Sequence, residues 1–147
     1  MAFNLYHAAE PAEKDRWLNA GIEYLTRGAR MNPETFELFF DIGWTHFMKT
    51  KDYGECIRYF REAARREHPQ WVDHMLAHSY ERAGRIRDAY RVWLKLKRNG
   101  SSHPSFERVV DRFLEKLSKR LREGDSAEEE PESEAPPANP EAQPRAT

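Results

Sequence analysis

Long apolar runs are missing from this 147-residue chain, and no stretch reaches the ~18 residues that a membrane-spanning helix needs. The first residues, Met1 to Tyr6, also lack the basic region, apolar core and cleavage site of a secretory leader. The sequence therefore predicts no membrane span, and we expect a cytoplasmic protein.

Cysteine is almost absent as well. Cys56 is the single cysteine, so the chain cannot form an intramolecular disulfide. Its position in a helical apolar pattern predicts a buried thiol that packs against a neighbouring helix and does not react.

Sequence motifs that carry catalysis are also missing. The chain has no glycine-rich phosphate loop, no nucleophile elbow and no cofactor fingerprint. His74 and His78 have the spacing of a zinc-binding pair, but Met75 stands where the HExxH motif has its glutamate, and no further ligands are evident. We therefore predict no enzymatic activity, no catalytic residue, no metal site and no cofactor.

Charge is unevenly distributed along the chain, although the formal net charge is only −1. Residues 1–79 carry a net charge of −2, residues 80–122 carry +8 and residues 123–147 carry −7. The positive segment contains a predicted basic patch formed by Arg85, Arg87, Arg91, Lys95, Arg108, Arg112, Lys116 and Lys119. Such a patch suits an acidic protein, RNA or anionic lipid, or it is an ordinary solvated surface. No nucleic-acid reading module accompanies it, which disfavours a nucleic-acid partner.

Residues 124–147 contain no Leu, Ile, Val, Met or aromatic residue and are rich in Glu, Pro, Ala and Ser. A segment of this composition cannot bury enough apolar surface to offset the entropy lost on ordering, so we expect a disordered acidic tail. Its glutamates could reach back to shield the basic patch and compete with an acidic partner in a salt-sensitive manner.

What the chain does contain is an internal repeat. Three sets of residues recur in the same order: Gly21, Leu25, Gly28 and Pro33, then Cys56, Phe60, Ala63 and Pro69, then Ala89, Trp93, Leu96 and Pro104. The first three columns are offset by 35 and then by 33 residues, and Ile42-Gly43 aligns with Leu76-Ala77 at an offset of 34. Periods near 34 residues predict a solenoid of helix–turn–helix units.

This pattern resembles the tetratricopeptide repeat over about residues 12–104. The chain departs from the family pattern at Cys56, where alanine is usual, and at Leu96, which replaces the second small residue. One extra residue also lies between Gly43 and Asp52. The resemblance implies an all-α fold, a right-handed helix–turn–helix solenoid with a C-terminal capping helix.

Apolar periodicity and end signals divide the chain further. We predict a lead segment over 1–11, a helical domain over 12–123 and the disordered tail over 124–147. Within the domain, helix 12–30 is followed by two full repeats, about 33–66 and 69–98, and by a capping helix over 104–123. The leading helix matches only the second helix of a repeat, so its outer flank lacks a partner helix and is a candidate surface for pairing with another copy.

In proteins of the resembled family, the first helix of each repeat lines a concave groove that holds a peptide or helix. Carried over by position, the resemblance assigns this groove to Glu37, Phe40, Trp44, Phe47, Trp71, His74, His78 and Arg82. The lysine and asparagine clamp that some members use is absent, because its positions hold Phe40, Trp44, His74 and His78.

The sequence therefore favours a protein-binding scaffold or adaptor whose ligand is apolar or aromatic. Three alternatives stay open at this point. Phe40 and Trp44 could simply pack on neighbouring helices, the chain could be a self-assembling structural subunit, or its basic half could bind nucleic acid or an acidic partner.

Overall fold

The computed structural model of the chain describes residues 11–100 and 103–124, and every regular element in these ranges is helical. The helices are α1 (Pro11–Met31), α2 (Glu37–Thr45), α3 (Tyr53–Ala64), α4 (Gln70–Arg82), α5 (Ile86–Asn99) and α6 (Pro104–Arg122). A π-helical turn, His46–Thr50, extends α2. The all-α prediction is confirmed. The predicted lead segment before residue 11 and the predicted tail from residue 125 lie outside the described residues.

The helix ends follow from local sequence. The side chain of Asp52 accepts a hydrogen bond from the backbone N–H of Glu55 at 3.1 Å and caps the start of α3. Gly84 and Gly100, with φ of 80° and 73°, end α4 and α5 in backbone conformations that glycine adopts without steric cost. The second helix differs from expectation, because Asn32, Pro33 and Glu34 lie in a loop and α2 begins at Glu37.

The π turn lies where the repeat pattern carries its extra residue. The backbone N–H of Lys51 donates to the carbonyl of His46 at 2.7 Å, a five-residue hydrogen bond that accommodates one more residue than an α turn. Lys51 then adopts a left-handed conformation with φ of 59°, and Asp52 starts the next helix. The insertion is therefore absorbed within the helix, and the following loop stays short.

Helices adjacent in the chain make the main packing contacts, from α1 on α2 through to α5 on α6. The aromatic column of the repeat forms the centre of the core, since Phe60 and Trp93 are fully buried at equivalent positions of α3 and α5. Their neighbours on the preceding helices, Gly43 and Ala77, are small and buried. Cys56 is also fully buried, as predicted, and burial raises the pKa of its thiol to about 12.

One buried ion pair joins the end of α3 to the loop before α2. Glu62 is fully buried and lies 2.9 Å from the guanidinium of Arg66. Arg66 also donates to the carbonyl of Pro33 at 2.6 Å and lies over the ring of Phe39, 3.9 Å from its centroid. Burial raises the pKa of Glu62, and the hydrogen bond from Arg66 opposes that rise. The pair thus fixes the loop from which α2, the first groove helix, begins.

The capping helix α6 packs on α5 and reaches α4. The ring of Phe113 stacks on Trp93 with centroids 4.6 Å apart and planes almost parallel, at 1°. Near the carboxyl end of α4, Lys116 and Arg120 approach Glu81 at 2.6 Å and 3.5 Å. These contacts place α6 beside α4, so that a surface formed by α2, α4 and α6 runs along one side of the molecule.

Candidate partner-binding groove

A groove of about 370 Å³ lies between α2 and α4. Its lining combines aromatic, thioether and imidazole side chains: Phe40, Trp44, Trp71, His74, Met75 and His78. Five of these six residues belong to the groove predicted from the sequence. The arrangement arises because α2 and α4 each place residues three or four apart on a common face.

Two tryptophans form the open walls of this groove. Trp44 is 41% exposed and Trp71 is 48% exposed, which is unusual for such large apolar side chains. Phe40 lies between them, with its centroid 6.1 Å from Trp44 in a near-parallel stack and 4.7 Å from Trp71 in an edge-to-face contact. Because Phe40 also contacts the buried ring of Phe60 at 5.1 Å, the exposed rings are held on a rigid base.

The predicted residues Phe47 and Arg82 support the groove from one end and do not line it. Phe47 lies in the π turn and is buried, stacked on Trp44 at 6.0 Å. The guanidinium of Arg82 lies 5.3 Å from the Phe47 centroid and donates a 3.3 Å hydrogen bond to the hydroxyl of Tyr53. α-Helical spacing does not describe the residues of a π turn, which is why the periodic pattern placed Phe47 too far outward.

His74 and His78 lie between the groove and the core aromatic rings that α5 and α6 contribute. The ring of His74 lies 5.2 Å from Trp93 and 5.0 Å from Phe106, and that of His78 lies 5.6 Å from Trp93. Burial lowers the pKa of both imidazoles, and the acids Asp73, beside His74, and Glu81, beside His78, oppose that shift only in part. The lowered pKa values favour the neutral imidazoles, which line the groove beside its aromatic rings.

An unpaired donor and acceptor lie close together beneath the groove. His74 Nε2 and Trp93 Nε1 are both buried, and neither has a hydrogen-bond partner among the described residues. The indole N–H can only donate, and a neutral imidazole accepts at one of its nitrogens. The centroids of the two rings are 5.2 Å apart, so two buried polar atoms without partners lie on neighbouring side chains.

The charged residues beside the groove differ in sign from one side to the other. On α2, the acids Glu37 and Asp41 are exposed and one helical turn apart. Partial desolvation, followed by the charge of Glu37, raises the pKa of Asp41. On the opposite side, Lys116 and Arg120 contact the carboxylate of Glu81, and Arg82 lies near His78. Glu37, predicted as a groove residue, thus lies on the acidic edge.

The predicted basic patch does not form a uniform positive surface. Arg85 and Arg91 both pair with the buried carboxylate of Asp88, at 2.8 Å and 3.3 Å. Lys116 pairs with Glu81, and the exposed positions of α6 from Glu107 to Lys116 alternate between acidic and basic residues. Arg87, Lys95, Arg108, Arg112 and Lys119 are exposed on α5 and α6.

Sequence reasoning missed Met75 and Phe36. Met75 lines the groove, and its place in the series 71, 74, 75, 78 is the standard spacing of one helical face, so the pattern could have revealed it. Phe36 contacts Trp71 edge-to-face at 5.7 Å. It was missed because the predicted helix began at Pro33, which gave Phe36 an interior helical position, whereas it directly precedes the first residue of α2.

Within the described ranges, no group of three or more His, Cys, Asp or Glu side chains is placed to hold a metal ion. No helix in the same ranges combines the length and the apolar character needed to cross a bilayer. No protein-family model matches the chain, no curated protein is detectably related to it in sequence, and no solved structure matches it.

Proposed function

We propose that this chain is a non-catalytic scaffold of tetratricopeptide-like repeats in a right-handed solenoid, and that it docks a peptide or helix of a partner protein. The docking surface is the groove between α2 and α4. The repeat spacing supports this arrangement, as do the successive packing of the helices and the equivalent burial of Phe60 and Trp93. A cytoplasmic location stays a prediction from the sequence.

The observation that carries this proposal is the exposure of two tryptophans, Trp44 and Trp71, on either side of Phe40, whose ring packs on the buried Phe60. Contiguous exposed aromatic surface is typical of protein-binding sites, and tryptophan is among the residues that contribute most to binding free energy. Phe40 does pack on the core, as the alternative interpretation held, but the two indoles remain open to a ligand.

Affinity capture followed by a binding measurement tests this proposal. A Trp44→Ala, Trp71→Ala variant is compared with the intact chain, and a Tyr24→Ala, Met31→Ala variant is the matched control because it removes exposed apolar surface from α1. Each tryptophan is worth about 2 kcal/mol when it is a hot spot, or roughly 30-fold in affinity. We expect purified partner to bind the control normally and the tryptophan variant at least tenfold more weakly. Equal affinities in all three proteins would refute groove docking.

Self-assembly through α1 is a second candidate that one observation favours. Tyr24 and Met31 are 66% and 80% exposed on a helix that packs mainly on α2. Mass measured by light scattering across a concentration series separates the two functions. A dimer that dissociates on Tyr24→Ser, Met31→Ser substitution would assign α1 as a self-association surface, whereas a monomer at all concentrations would exclude it.

A further inference from the structure

We propose that the groove selects a partner segment that combines large apolar side chains with acidic side chains along one flank. This inference rests on the proposed docking function and specifies the chemistry of the partner. The argument comes from the charges that border the groove, which are acidic along α2 and net basic where α6 meets the end of α4.

The positive border lies along α4 and α6, next to His78. Lys116 and Arg120 contact the carboxylate of Glu81, and Arg82, next to Glu81 on α4, adds a third cation near His78. The Glu81 side chain is only 14% exposed, whereas that of Lys116 is 52% exposed. The acid is thus covered by its partners, and the border presents net positive charge to an incoming segment.

The negative border lies along α2. Glu37 and Asp41 are both exposed and occupy successive turns, and no basic residue lies between them in the sequence. Opposite charges on the two sides of an apolar strip favour one orientation of an amphipathic segment over its reverse. The acidic flank of the partner lies over α4 and α6, and a neutral or basic flank lies over α2.

The apolar part of the ligand is required by the groove itself. Phe40, Trp44, Trp71 and Met75 offer dispersion and hydrophobic contacts that a purely acidic chain cannot use. This distinguishes the proposed partner from residues 125–147 of the same chain, which carry seven acids and one base but no large apolar side chain. The tail has the charge for the positive border and lacks the side chains for the groove.

Two amphipathic peptides of about 15 residues test the inference by fluorescence anisotropy. They share leucine and phenylalanine at helical spacing. One carries glutamate along a single flank and glutamine at the remaining positions, and the other carries glutamine at all of them. We expect the glutamate peptide to bind at least tenfold more tightly, with a preference that shrinks between about 0.15 M and about 1 M salt. Circular dichroism of each protein variant confirms that it is folded.

Substitutions on the border give opposite expected directions. Lys116→Gln should lower the affinity for the glutamate peptide by about threefold or more. Glu81→Gln should raise that affinity, because the substitution removes the carboxylate that competes for the same cations. Lys97→Gln is the matched control: Lys97 pairs with Asp111 between α5 and α6, away from the groove, and its loss should leave affinity unchanged. Trp44→Ala should weaken both peptides.

The outcomes separate the two proposals. Equal affinity for both peptides, together with weakening by Trp44→Ala, overturns the acidic preference and leaves docking intact. If the Trp44→Ala substitution leaves the affinity for both peptides unchanged, docking at this groove is overturned. A peptide of residues 125–147 that binds as tightly as the glutamate peptide overturns the need for apolar side chains. A poly(U) oligonucleotide is tested as a competitor. If it displaces the glutamate peptide at a lower concentration than the unlabelled peptide does, the proposal that the ligand is a protein segment is overturned.

Discussion

Single residues set how closely the helices of this molecule approach, and Gly43 is the clearest case. A Cβ atom at Gly43 would lie 2.7 Å from both Cδ1 and Cε1 of the fully buried Phe60. Separations that short do not occur between real Cβ atoms and their neighbours, so α2 or the ring must move to admit a methyl group. The absence of a side chain at this position allows α2 and α3 to pack in contact.

Replacing Gly43 by alanine should therefore destabilise the fold by about 1–3 kcal/mol through overpacking, as measured by urea denaturation. Gly54→Ala is the matched control, because a Cβ there would meet only Asp52 Oδ1 at 3.4 Å. The control should be neutral or more stable by up to about 1 kcal/mol, since alanine favours a helix more than glycine does. Equal stability of the Gly43→Ala variant and the intact chain would show that the packing around Phe60 is not tight.

The two groove histidines make stability depend on pH. The folded-state pKa values of His74 and His78 are lowered by burial, so the unfolded chain binds more protons than the folded chain below pH ~6.5. Their contribution is complete above the unfolded pKa and decreases as pH falls towards the folded values. Protonation would also remove the imidazole acceptor that lies next to the indole of Trp93.

We expect the free energy of unfolding to fall as the pH drops below ~6.5, and to fall less steeply in a His74→Gln, His78→Gln variant. Denaturant melts of both proteins at a series of pH values provide the measurement. His46, whose pKa burial also lowers, remains in both proteins, so the difference between the curves isolates the groove pair. Parallel curves would contradict the assignment of lowered pKa values to His74 and His78.

Individual elements show where sequence patterns succeed and where they fail. The repeat columns and the glycines at helix ends located most of the helices to within a few residues, because burial and terminal capping are local in the sequence. The predicted start of α2 was wrong. Asn32 and Pro33, residue types that usually begin a helix, are held in a loop by the hydrogen bond from Arg66 to the Pro33 carbonyl. That contact joins residues 33 positions apart, which no local pattern encodes.

The candidate site was predicted to a similar extent. Exposure of Trp44 and Trp71 follows from the repeat phase, because each belongs to a first helix whose opposite face packs on the next helix. The burial of Phe47 and the supporting role of Arg82 depend on the π turn, whose place was signalled only by one surplus residue. The opposite charges of the two borders depend on the docking of α6 against Glu81, a tertiary contact.

The π turn gives a prediction of its own. Deletion of Met48, which is 44% exposed, should convert His46–Thr50 to α-helical spacing and remove the one-residue excess of this repeat over the next. We expect the chain to remain folded, with stability within about 1 kcal/mol of the intact protein, because the partly exposed Met48 side chain fills little of the core. Thermal unfolding measures this, and a Phe47→Ala variant, which should cost about 3–5 kcal/mol, is the contrast.

At the scale of the whole molecule, the helices are packed in series. Each one contacts mainly its neighbours in the chain, so stability is a sum of local helix energies and the interfaces between successive helices. The central helices α3 and α4 have a partner on both sides, whereas α1 is described with one, α2. The exposed Tyr24 and Met31 reflect that difference.

Opening should therefore begin at α1 and not at the centre. We expect amide hydrogens of α1 to exchange with solvent well before those of α3 and α4, as measured by hydrogen exchange with mass spectrometry on the intact chain. Uniform protection across all helices would show a single cooperative unit. Slow exchange in α1 that becomes fast on dilution would instead indicate that another copy covers this helix.

The single thiol allows such opening to be timed at one defined atom. Cys56 is fully buried, and its pKa of about 12 leaves almost no thiolate at neutral pH, so an alkylating reagent cannot modify it in the closed fold. Modification requires α3 to separate from its neighbours, and each molecule gains one adduct of known mass. The rate at which that adduct accumulates therefore measures how often the native protein opens around α3, and it requires no engineered label.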